Sequence, residues 1–81
     1  MSTPTKMGEV APKSAREILA ENVVVLRAEL NWSQEMLAFE AGLHRTFIAH
    51  VERRARNISI DNLEKIAIAL RVAPHQLLAP R

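Results

Sequence analysis

Between Arg45 and Arg53 the chain carries a guanidinium, a hydroxyl, a methyl and an imidazole at intervals that one face of a helix would bring together. Stepping ~100° per residue, as ~3.6 residues per turn requires, sets Arg45, Thr46, Ala49, His50 and Arg53 side by side. Phe47, Ile48 and Val51 fall on the opposite arc, with Glu52 at its edge. The polar arc offers the chemistry of base-edge recognition. A guanidinium can donate twice to O6 and N7 of guanine, a Thr methyl or an Ala can touch a thymine methyl, and His can donate or accept at a base or phosphate. Small Ala49 lets such a helix lie close. An arginine-rich face is also commonly no more than a solvated surface, so the surrounding elements must decide between the two.

Other chemistries find no footing. His44, His50 and His75 lack ligand spacing and companion thiolates or carboxylates, so no metal site is expected. Cysteine is absent, which excludes a disulfide framework and a thiolate zinc site. Ser33 and Ser59 are accounted for as helix caps and pair with no base, so no catalytic residue, no enzyme activity and no cofactor is expected.

At 81 residues the chain makes one small domain, near the lower limit at which a single core folds unaided. No apolar run is long enough to span a bilayer, and the opening MSTPTKMGEVAPK lacks the apolar run of a secretory signal. The expected place is therefore the cytoplasm, with no membrane contact. A net charge of +2 proves no anionic partner, but placement matters more than sum. Arg45, Arg53, Arg54 and Arg56 cluster in one segment, whereas the acidic residues are scattered.

Residues 1–13, with Pro4, Gly8 and Pro12 and no apolar period, read as a flexible N-terminal arm, and residues 14–81 as the folded domain. Ser14 with Glu17 forms a capping box that opens a helix to about Leu30, its buried stripe made by Leu19, Val23, Leu26 and Leu30. Ser33 caps a shorter helix that ends before Gly42, the residue best able to adopt the left-handed conformation of a sharp turn. A third helix runs from about Arg45 to Arg53, and a polar loop follows to Ser59. Ser59 caps a fourth helix whose Leu63, Ile66, Ala67 and Leu70 face inward, and Pro74 suits the first turn of a last short helix through Leu78. With no period-two alternation, the reading is an all-α, five-helix domain with a helix-turn-helix at about 33–53.

The strings SQEMLAFEAGLHRTFIAHVE and RNISIDNLEKIAIALRVAPHQLL resemble the lambda-repressor and Cro-like (XRE) helix-turn-helix family over about Ile18 to Leu78. Gln34, Leu37, Ala38, Gly42, Ile48 and Glu52 coincide with its pattern. Within that family HRTFIAHVERRARNIS is most similar to the controller proteins of restriction-modification systems, with Arg45, Thr46, Arg56 and Asn57 at matching places. The resemblance implies a compact lambda-repressor-like fold and a transcriptional regulator that binds a roughly palindromic operator in double-stranded DNA as a homodimer. It implies base reading by Arg45, Thr46, Ala49 and His50, contact with the DNA backbone by Gln34, Arg53, Arg54, Arg56 and Asn57, and a structural tether between Arg27 and Glu52. Phe47 could reach the DNA edge or pack.

Some residues depart from the family pattern. His44 and Ala73 stand at cap positions where Ser or Thr is commoner. Arg71 stands where glycine is usual, so a left-handed turn there would cost ~1 kcal/mol. Met36, Phe39 and Ile68 leave apolar surface that calls for a partner. Ile68, Leu77 and Leu78 suit a two-fold interface, while Trp32, Met36 and Phe39 could pack together or meet RNA polymerase or a toxin. An antitoxin and a helical interaction module without DNA binding are the alternatives to a regulator.

Overall fold

A computed structural model describes residues 13–81; the expected N-terminal arm, but for Lys13, lies outside the described residues. The Ser14 hydroxyl accepts from the Glu17 amide at 3.1 Å and the Glu17 carboxylate accepts from the Ser14 amide at 3.0 Å. That closed capping box starts α1 (Ala15–Glu29). Asn31, left-handed at φ 60°, turns the chain into Trp32. The Ser33 hydroxyl accepts from the Met36 amide at 3.0 Å and begins α2 (Gln34–Ala41). Gly42 ends α2 at φ 70°. A side chain there would meet nothing within 4 Å, so it is the backbone angle, and not space, that asks for glycine. After the corner come α3 (Arg45–Glu52) and α4 (Ile60–Leu70), the latter capped by Ser59, whose hydroxyl accepts from the Asn62 amide at 3.1 Å.

The final element differs from expectation. The described residues form four α-helices, and Pro74–Leu78 is a 3-10 helix, not a fifth α-helix. Its hydrogen bonds reach three residues back, from Gln76 N–H to the Ala73 carbonyl at 2.9 Å and from Ala79 N–H to the Gln76 carbonyl at 3.4 Å. Five residues opened by a proline and closed by extended Ala79 leave too little chain for a four-residue ladder. Gln76 supplies half a cap, its side-chain oxygen accepting from the Ala73 amide at 2.7 Å.

Leu19 and Val23 of α1, Leu37 and Ala38 of α2, Ile48 and Val51 of α3, and Leu63, Ile66, Ala67 and Leu70 of α4 close around one core. Leu77 joins them with no exposure at all. This corrects its expected place at a dimer interface, because a side chain already enclosed by its own domain has nothing to offer a partner. Asn22 is the reason. It is buried on α1, and its amide nitrogen donates to the carbonyls of Leu77 at 2.8 Å and Ala79 at 2.9 Å, drawing the last turn against the helix. Ile68 and Leu78 remain exposed, as does Ile60.

Candidate nucleic-acid interface

Eight residues make α3, too few to hold a helix in water by themselves. Packing holds it instead. Ile48 and Val51 are sunk in the core, and Phe47, half-buried, packs against the same cluster. Arg45 and Thr46 are left exposed on the other side, with Ala49 and His50 half-buried beside them. One ring nitrogen of His50, Nδ1, is shielded and without a hydrogen-bond partner. An open depression of about 460 Å³ lies alongside, lined by Glu35, Ala38 and Phe39 of α2 and by Leu43, His44, Arg45 and Thr46.

The carboxylate of Glu52, at the end of α3, is gripped from two helices. Arg27 of α1 donates to it from Nε at 2.8 Å and from Nη2 at 3.0 Å, and its Nη1 donates to the Trp32 carbonyl at 2.9 Å. Gln34 of α2 adds a bond from Nε2 to Glu52 Oε1 at 2.7 Å. A two-pronged guanidinium–carboxylate pair of this kind fixes direction as well as distance. The expectation for Gln34 was a DNA phosphate; its side-chain donor is turned inward to Glu52. Ser33 satisfies the Met36 amide and accepts at its carbonyl from Leu37, while geometry leaves the Gln34 and Glu35 amides at the helix start without intrahelical acceptors.

Two of the expected backbone contacts also face elsewhere. Arg54, left-handed at φ 62°, places Nη1 3.1 Å from Glu17 Oε2, and the Asn57 side-chain oxygen accepts from Arg16. Both pairs bind the α3–α4 loop to the start of α1. Helix wheels ignore such contacts, since the partner lies on an element far away in sequence. Arg53 and Arg56 are exposed on that loop. The Glu17 carboxyl is held below its ordinary range, chiefly by the hydrogen bond from the Ser14 amide; burial opposes this, and the charges of Arg54 and Lys13 and the Ser14 hydroxyl add smaller lowering effects.

Among the described residues no three metal-binding side chains gather, and no helix is long and apolar enough to cross a membrane. Residues 25–77 match the family model described as helix-turn-helix. The chain is 49% identical over 65 residues to a hypothetical transcription factor of Neisseria meningitidis serogroup B, a match covering 80% of this chain and 61% of that protein. It is 60% identical over 48 residues to the control protein C.BamHI of Bacillus amyloliquefaciens, covering 59% of each. The chain thus spans about six-tenths of the length of these two relatives. The crystal structure of the Neisseria factor superposes with a TM-score of 0.80 at 48% identity, covering 82% of this chain and 74% of that one. The restriction-modification controller protein C.AhdI from Aeromonas hydrophila does so at 0.74 and 39% identity, covering 76% of this chain and 94% of that one. SinR, a master regulator of biofilm formation solved in complex with DNA, superposes at 0.72 and 32% identity, covering 75% and 98%. Fold, motif and kinship agree: the chain belongs to the XRE-type helix-turn-helix family, beside the controller proteins of restriction-modification systems.

Proposed function

We propose that this chain is a sequence-specific DNA-binding regulator of transcription, acting without a cofactor as a homodimer on a roughly palindromic operator. The observation that carries the reading is the two-sidedness of α3. Ile48 is fully buried and Val51 is 3% exposed, while Arg45 and Thr46 stand exposed on the opposite side. In this scheme Arg45 donates to a guanine, Thr46 and Ala49 meet a neighbouring base, and His50 lies at the far end of the contact. The Gln34 and Glu35 amides at the start of α2 receive one phosphate, Arg53 and Arg56 another. Ile68 and Leu78, with Ile60, supply the apolar surface of a two-fold interface, which would set two copies of α3 about 34 Å apart in successive major grooves. The SinR neighbour bound to DNA and the transcription-factor relative support the same reading. A protein of this kind works beside its operator, in the cytoplasm at the nucleoid.

Selection of bound duplexes from a random pool, followed by sequencing, tests it and yields the half-site, its symmetry and its spacing together. On the selected duplex Arg45→Ala should lose ~1–3 kcal/mol of discrimination at one base pair per half-site. Equal losses on selected and random duplexes would refute base reading by Arg45. A second reading, an antitoxin that also represses its operon, is favoured by Phe39 at 79% and Met36 at 43% exposure. Co-purification with a toxin encoded nearby is its test.

A further inference from the structure

The loop that follows α3 carries Arg53, Arg54 and Arg56, and the fold treats one of them differently. Among the described residues Arg53 and Arg56 have no carboxylate partner, whereas Arg54 places Nη1 3.1 Å from Glu17 Oε2. Both members of that pair are anchored. Glu17 is held through its other oxygen, which accepts from the Ser14 amide at 3.0 Å. Arg54 sits left-handed at φ 62°, with its own amide bonded to the Val51 carbonyl at 3.0 Å. The Asn57 side-chain oxygen accepts from Arg16, the neighbour of Glu17, so the loop is fastened to the same turn of α1 at a second point.

On a loop that faces phosphates, each free guanidinium adds affinity for any duplex, because a phosphate contact releases counterions and carries no base information. A carboxylate tied into a capping box cannot follow Arg54 away from α1, so it cancels that charge where it stands. We infer that Glu17 is a positioning residue for DNA binding that holds Arg54 off the phosphates, so that the domain makes one sequence-blind contact fewer than its loop could supply. The inference rests on the regulator reading above and deepens it, since it sets how much of the affinity is left to the base-reading face of α3. Glu17 touches no DNA in this scheme and acts through Arg54. The two side chains are 55% and 37% exposed, and an exposed pair is weak, so removing the restraint should tighten binding by about two- to fivefold and not by orders of magnitude.

The test measures anisotropy of labelled selected and random duplexes with the full chain over a series of salt concentrations, for the wild type, E17Q, the double variant E17Q/R54Q and E29Q. Glutamine also completes a capping box with serine, so Glu17→Gln removes the ion pair and keeps the helix start. E17Q should bind both duplexes about two- to fivefold more tightly. Its slope of log affinity against log salt should steepen by ~0.9, the value of one phosphate. The double variant loses both charges of a pair that is silent toward DNA, and should match the wild type in affinity and slope. E29Q, which removes the same charge from the far end of α1, should also match it. A merely structural Glu17 would move the melting temperature and leave the slope alone. An unchanged slope in E17Q, or a slope in the double variant ~0.9 shallower than that of the wild type, overturns the inference alone, the latter because Arg54 would already be on a phosphate. Failure of the wild type to bind any duplex overturns the regulator reading with it.

Discussion

Replacing Asn22 by alanine should bring this domain close to unfolding. The side chain is 1% exposed and donates to the Leu77 carbonyl at 2.8 Å and the Ala79 carbonyl at 2.9 Å, with a longer contact to the Gln76 carbonyl at 3.3 Å. Two well-formed bonds are worth ~1 kcal/mol each, and a buried carbonyl left unpaired costs ~1–3 kcal/mol more, so the loss should be about 3 kcal/mol. A domain of this size rarely holds more than ~3–5 kcal/mol. At ~4–8 °C per kcal/mol the midpoint should fall by more than ~12 °C. Thermal melts followed by circular dichroism, with urea titration for the free energy, measure it. Asn22→Leu, close in shape but unable to donate, separates the bonds from the volume and should lose a similar amount. A loss below ~1 kcal/mol in both variants would mean that Leu77 packing alone holds the last turn, and the argument from hydrogen bonds would fail.

Three further outcomes follow from the same contacts. Arg27 and Glu52 form a pair whose side chains are 19% and 7% exposed, so Arg27→Met and Glu52→Gln should each destabilise by ~2–3 kcal/mol, with a coupling above ~1 kcal/mol in the double-mutant cycle measured by denaturant melts. Arg71→Gly should stabilise by somewhat under ~1 kcal/mol, since it relieves the left-handed backbone at φ 64° but removes the guanidinium that sits 5.9 Å from the centre of the Trp32 ring; a lower melting temperature would contradict this. Glu17 has its folded carboxyl below the unfolded value, so its contribution is complete above the unfolded carboxylate range and is lost as pH falls through the folded value. Denaturant titrations across that acid window should show a shallower loss for Glu17→Gln than for the wild type.

What the sequence discloses here is mostly local. Ser14, Ser33 and Ser59 act as caps because a hydroxyl and an amide three residues on are neighbours whatever the rest of the chain does. The inward stripe of α4 is legible for a similar reason, since Leu63, Ile66, Ala67 and Leu70 repeat at the helical period. Arg71 could be flagged as the bearer of a left-handed turn, and it is one. Long-range partners were not legible in the local pattern; the pairing of Arg27 with Glu52 came only from the family resemblance. Asn22 bonds to carbonyls at the opposite end of the chain, and the one available hint was a polar residue set into the stripe of Leu19, Val23 and Leu26. Leu77 and Leu78 look alike in sequence, and it is the docking of the turn by Asn22 that sends one in and leaves the other out. Arg54 and Asn57 are expected from the resemblance at the DNA backbone, and nothing in the loop itself discloses that Glu17 and Arg16 lie beside them.

Helix α3 shows why these two kinds of information divide as they do. Its eight residues lack a side-chain cap, include the β-branched Thr46, Ile48 and Val51, and would scarcely be helical alone. Its shape comes from one face and one end: Ile48 and Val51 in the core, and Glu52 held by Arg27 and Gln34. The exposed face contributes almost nothing to that stability, since Arg45 and Thr46 are in open solvent. Substitutions there should move folding free energy by no more than ~0.5 kcal/mol, leaving those positions free to change without changing what folds. The converse holds for Glu52, whose carboxylate ties the end of α3 to Arg27 of α1 and Gln34 of α2, so that its loss would free the helix to tilt without touching its exposed face.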